Sequence, residues 1–226
     1  MQGNKNTIVS TGDELELFLR GKGIALNDVK TSIRTGIAAY NDTTSNYPAT
    51  FRGHTISAIT NVSLRELLGY QGYEKDSPNN IELTVNKENG FGIHVVRGDA
   101  QTGLLSGYPA TLRKKGELSL DFFGLKTSEH GQIDMFAEEL PTYGSPKCPY
   151  DVWFLMLYTS FDGDNLRVRS ELSKPIFCSQ KGFVNGFSRR YLIDMTDYGD
   201  SLIIEPDHIS DEGFSEDIEI NISMNE

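Results

Sequence analysis

The sequence predicts an α+β fold, with an N-terminal group of short helices followed by an antiparallel or mixed β-sheet around a central hairpin. Three observations predict it. Apolar residues recur at three- and four-residue spacing through residues 11–68. From Ile81 onward the spacing changes to two. The run Val152-Trp153-Phe154-Leu155-Met156-Leu157-Tyr158 is followed by the turn sequence Asp162-Gly163-Asp164-Asn165 and then by the alternating stretch Leu166 to Leu172.

Each element has its own local signal. Thr11-Gly12-Asp13-Glu14 has the spacing of a capping box, and Leu15, Phe18 and Leu19 then share one helical face until Gly21 or Gly23 stops the chain. Asn27 caps a second helix carrying Val29, Ile33, Ile37 and Tyr40. A third segment passes through Ile56 and Ile59, and a short fourth starts at Ser63 and uses Leu64, Leu67 and Leu68 before Gly69. Pro78-Asn79-Asn80 marks a turn. Ile81, Leu83 and Val85 alternate as a strand, Glu88-Asn89-Gly90 turns the chain, and Phe91 to Val96 returns.

Thr102 to Lys115 reads as a loop. Leu118 to Phe123 and Ile133 to Ala137 read as strands, and residues 141–149 as a proline-rich loop. Val152 to Phe161 and Leu166 to Leu172 form the hairpin, Pro175 ends its second strand, and Phe183 to Met195 adds another. The organisation expected is a helical part over 1–72, a β-rich core over 73–198 and an acidic segment over 199–226.

Charge placement is the most informative feature. The net charge is -11, and eleven acids with no lysine or arginine fall between Tyr191 and Glu226. The rest of the chain holds equal numbers of acids and bases. A neutral body does not advertise a phosphate-backbone groove, while an acidic end attracts basic surfaces. The expectation is an interaction protein whose acidic segment, through Glu205, Asp207, Asp211, Glu212, Glu216, Asp217 and Glu219, docks on or shields a basic surface. That surface belongs either to a basic protein partner or to the chain itself. The candidates within the chain are Arg167, Arg169, Arg189 and Arg190, which interleave with Phe187 and Tyr191 and would equally suit single-stranded nucleic acid. The stretch from Asp217 to Met224 alternates with period two and could also be an edge strand.

Two alternatives stand beside that reading. Asp99, Asp121, Asp134 and Glu171 fall on or just after expected strands, and acids converging there could hold Mg²⁺ for a metal-dependent phosphodiesterase or nuclease. Against it, no Glu-x-Lys occurs, and Asp28-Val29-Lys30 sits in an expected helix. The other alternative is a DNA-binding regulator that uses residues 54–68 as a helix pair, with Arg52 and Arg65 nearby. No cofactor is called for otherwise.

Several chemistries have no motif. There is no Gly-x-Ser-x-Gly, no C-x-x-C, and no two of His54, His94, His130 and His208 stand at metal-ligand spacing. Cys148 and Cys178 are expected as thiols, with a disulfide open only if the fold brings them together. Gly98 to Gly103, followed by Arg113-Lys114-Lys115, is a polar loop beside three bases and could cradle a phosphate. The polar start Met1 to Asn6 has no apolar stretch of a signal peptide, and no run approaches the ~18 to 20 apolar residues of a membrane helix. A soluble cytoplasmic protein without membrane contact is therefore expected.

Overall fold

The computed structural model describes residues 7–44, 46–127, 147–162 and 165–196. These form strand β1 (Ile8–Thr11), helices α1 (Asp13–Arg20), α2 (Leu26–Asn41) and α3 (Ala49–Leu68), and strands β2 (Tyr73–Asp76), β3 (Leu83–Asn86) and β4 (Phe91–Arg97). Helix α4 (Glu117–Phe123) and strands β5 (Lys126–Thr127), β6 (Asp151–Asp162), β7 (Asn165–Cys178) and β8 (Val184–Ile193) follow. The class is α+β with a mixed sheet in the order β1-β8-β7-β6-β4-β3-β2, and β5 pairs with β7 beside that path. β1 runs parallel to β8 and β4 parallel to β6, while the other neighbours on the path are antiparallel.

The β6–β7 hairpin is central, as its sequence implies. Every residue from Val152 to Leu157 is buried, because β6 has a core on each side. Trp153, Leu155 and Leu157 face one cluster with α1, α2 and α3, and Val152, Phe154 and Met156 face another with Phe122, Leu125 and Phe187. Burying a side chain of this size contributes about 1.5–3 kcal/mol, so this strand anchors both layers. On the helical side Phe18 lies 4.5 Å from the Trp153 ring and 4.9 Å from Tyr191. The helices and the sheet thus share one core, and residue 72 separates them in sequence only.

The helices depart from expectation in instructive ways. Thr11 ends β1 and does not cap α1, whose N-cap is Gly12 with no side-chain hydrogen bond. The two segments expected around Ile59 and Ser63 are one continuous helix, α3. Its polar residues turn inward on the helix itself: Thr55 Oγ1 donates to the Phe51 carbonyl at 2.9 Å and Asn61 Nδ2 to the Ser57 carbonyl at 3.1 Å. Residues 54–68 are therefore not a helix pair. Ile56, Leu64 and Leu68 are fully buried, so this helix spends its apolar side on the core. α2 crosses α3 closely at Gly36. A Cβ there would lie 2.2 Å from Thr60 Oγ1 and 2.7 Å from the Ile56 carbonyl oxygen.

Two strand expectations also change. Leu118 to Phe123 is α4, ended by Gly124 in the left-handed conformation at φ 68. Pro175 does not end its strand. β7 continues to Cys178 through register shifts around Pro175, where a missing N–H is tolerated. Cys148 and Cys178 are buried in the same cluster and both are thiols. Ile133 to Ala137, Asp134, His130, His208 and the acidic segment 199–226 lie outside the described residues. Among the described residues, no helix is long and apolar enough to cross a membrane.

Candidate functional site

The four arginines of the expected basic surface do not share a face. Alternation on β8 sends Arg189 to the side of Tyr191 and Arg190 to the opposite side. Arg189 donates to the Tyr191 hydroxyl at 3.0 Å. Arg169 packs over the Tyr158 ring at 4.6 Å and donates to the Ala100 carbonyl at 2.7 Å. Arg167 lies on β7 opposite Ser160.

Arg190 is buried and belongs to an internal network. Its guanidinium forks onto Glu171, which is itself fully buried, and also donates to the carbonyls of Gly107 at 2.7 Å and Leu104 at 3.1 Å. The Glu171 carboxylate accepts in addition from the Gly103 N–H at 2.8 Å and the Ser173 hydroxyl at 2.6 Å. This explains the glycine-rich loop after β4. Its Gly103 N–H points at a carboxylate of the chain, in the seat an anion would take in a phosphate cradle. Gly103 has φ +73, and a Cβ there would lie 2.8 Å from Arg169 Cβ, so the loop lies tight on β7.

The described acids of the metal-site alternative, Asp99, Asp121 and Glu171, have separate partners. Asp99 Oδ1 caps the Gln101 N–H at 3.0 Å within the loop, Asp121 pairs with Lys147 on α4, and Glu171 serves Arg190. Among the described residues no three of His, Cys, Asp and Glu lie close enough to hold a metal ion.

A concave basic site exists elsewhere. An open groove of about 890 Å³ lies between α1 and α2 and is lined by Glu16, Arg20, Lys30, Arg34 and Gln71. Lys30 and Arg34 stand four apart on α2, where each follows a buried residue, Val29 and Ile33, and they flank the apolar face. Arg20 ends α1 and pairs with Glu16 at 2.8 Å, an exposed pair that contributes little. Three cations against one acid make the groove basic. Asp194 follows β8 directly. The Thr196 N–H and hydroxyl hold its carboxyl below the usual carboxylate range, and the Lys30 ammonium acts in the same direction. Asp194 thus lies within electrostatic reach of a lysine that lines the groove. Sequence reasoning missed this groove because it sought bases next to the acids in sequence. The Lys30 and Arg34 pair at i, i+4 on α2 was the available signal.

A second polar cluster lies on the other side of the sheet. His94 is buried on β4 in an apolar run, between the rings of Phe123 at 5.5 Å and Phe154 at 5.2 Å. Its Nδ1 lies 2.8 Å from the Glu82 carbonyl, which can only accept, so Nδ1 carries the proton and Nε2 is the acceptor. Lys115 Nζ donates to Nε2 at 3.1 Å. Burial, with the neighbouring Lys115 charge, pushes His94 down to about 3, and burial pushes Lys115 down to about 8.

A pH dependence follows. Below pH 6.5 an unfolded His94 takes a proton that the folded one refuses, so stability falls as the pH drops from 6.5 towards 3. The His94→Gln variant should lack a slope of about 1.4 kcal/mol per pH unit in that window. Urea titrations of both proteins at several pH values check this, and parallel curves would refute it.

Comparison with protein-family models, with curated proteins and with solved structures found no match to this chain, so the functional reading rests on its own geometry.

Proposed function

We propose that this chain is an interaction protein whose acidic C-terminal segment, residues 199–226, docks on a basic surface, with the groove between α1 and α2 as the nearest such surface. The observation that carries the reading is that Asp194, close to the end of the described chain, feels the charge of Lys30, which lines a groove with Arg20 and Arg34. Unlike charges within reach on one chain meet at high effective concentration, so even a weak pairing is populated. A partner with a denser basic patch then competes with the groove for the same acids. On this reading the groove is a resting place for the segment, and a basic protein partner is what draws it away.

The test uses a body truncated after Tyr198 and a fluorescent peptide of residues 199–226. Saturable binding at low salt is expected, weakening at least about tenfold between 0.05 and 0.3 M salt because exposed charges are screened. Charge reversal by Lys30→Glu with Arg34→Glu should abolish it. Absence of saturable binding at low salt sinks the groove as the docking surface. Capture of a basic protein by the full chain and not by the truncated body would then identify an external surface.

A further inference from the structure

We propose that the outward side of α3, together with Arg113, binds single-stranded nucleic acid. Bases stack on the rings of Tyr47 and Phe51, and a backbone phosphate meets the Arg113 guanidinium. This surface is separate from the groove between α1 and α2 and stands independently of it. Ile56, Thr60 and Leu64 recur every four residues and are buried, so they mark the inner side of α3. Phe51, His54, Ala58 and Val62 fall on the other side and are exposed. A helix side that faces water normally carries charges. Here the exposed stripe is aromatic and apolar, and no acid occurs in α3 before Glu66.

The exposed rings form a platform. Tyr47 is 47 % exposed and Phe51 43 %, and their rings stack at 4.9 Å with 12° between their planes. Each ring has one face towards its neighbour, which leaves an outer face for a further flat group. The Phe51 N–H donates to the Pro48 carbonyl at 2.8 Å, which fixes the turn between the two rings. Every base has a flat π face, so such a platform takes single strands of any sequence. A duplex keeps those faces inside its own stack.

The cation stands beside the platform. His54 follows Phe51 by three residues on α3, which puts their Cβ atoms about 5–6 Å apart. Its Nε2 accepts from Arg113 Nη1 at 3.2 Å. A guanidinium only donates, so the imidazole in this contact is a neutral acceptor and leaves the positive charge uncancelled. Among the described residues no carboxylate pairs with Arg113, whereas Arg20, Arg65 and Arg190 each meet one. The Arg113 backbone is held too, its carbonyl accepting from the Thr111 hydroxyl at 3.0 Å. Lys115 of the same basic run turns to His94 instead. One phosphate contact gives a shallow salt dependence, so stacking carries most of the affinity.

Fluorescence anisotropy of a fluorescein-labelled oligothymidylate tests this on the full chain at about 0.05 M salt. Saturable binding is expected, at least about tenfold tighter than to a duplex of the same length. Phe51→Leu keeps an apolar side chain at an exposed position and removes the ring, and it should weaken binding at least about fivefold. Arg113→Gln should weaken binding and flatten its dependence on salt. Tyr70→Ala removes an exposed ring just past the other end of α3 and should change nothing. Absence of saturable binding overturns the proposal. Equal affinity for the duplex overturns stacking as its basis. Binding by Phe51→Leu within about twofold of the native chain overturns the placement on α3.

Discussion

Arg190→Met should lower the stability of the chain by roughly 3–5 kcal/mol, because it leaves a buried carboxylate without its counter-charge. Glu171 has no exposed surface, and after the change only the Gly103 N–H and the Ser173 hydroxyl would face it. The Gly107 and Leu104 carbonyls would lose their donors as well. Urea unfolding at pH 7 measures the effect. The control is the double variant Glu171→Leu with Arg190→Met. Replacing both members of a buried pair by apolar groups is often close to neutral, so the double variant should recover at least half of the loss. A single variant within about 1 kcal/mol of the native chain would mean the pair is not desolvated. The loop should also respond. Proteolysis at residues 104–106 should accelerate in Arg190→Met, because the guanidinium is what fastens those carbonyls to the sheet.

Gly36→Ala should cost about 1–3 kcal/mol by overfilling the α2–α3 crossing. Two effects oppose each other there. Alanine is the better helix former by about 1 kcal/mol, which would stabilise an open helix position. The new methyl would stand 2.2 Å from Thr60 Oγ1 and 2.7 Å from the Ile56 carbonyl oxygen, and the second contact is backbone. A side chain can rotate away, but the α3 backbone moves only with the whole helix, so overlap wins. In a Thr60→Ala background the loss should shrink and not vanish. Full rescue would show that the helix backbones stand further apart than this geometry requires.

The fold class was legible because its strongest signals are long. The continuous apolar run of β6 can be satisfied only by a strand with a core on each side. Short elements were not legible. β1 is four residues long, and among the described residues its strand partner is β8. α4 presents Leu118, Leu120 and Phe122 with strand-like period two. The structure leaves Leu118 74 % exposed and buries Phe122, and the decisive local sign was Gly124 as a left-handed stop. The sequence places the start of a fourth helix at Ser63, but the Asn61 side chain bonds to the preceding turn of the helix and α3 runs on.

Site residues divide in the same way. Residue type does not reveal burial, so Arg190 and Glu171 looked like surface charges in sequence. Their pairing depends on two adjacent strands, in which Ser173 lies opposite Arg190 and Glu171 is one alternation away. His94 and Lys115 are joined only by the connection between β4 and β6, and nothing in their spacing announces it.

The parallel β1–β8 pairing sets an order of events during synthesis. Val9 meets Arg190, and the Thr7 hydroxyl donates to a carbonyl 180 residues later. A ribosome adding about 5–20 residues per second needs roughly 10–35 s to cover that distance. Through that interval β1 has left the exit tunnel and has no strand to join. The helices α1 to α3 emerge early as well, while the β6–β8 surface they cover is still being made. The nascent chain therefore carries an unpaired strand and bare helix faces together. The β1 edge of the sheet closes only when residues 189–192 are released.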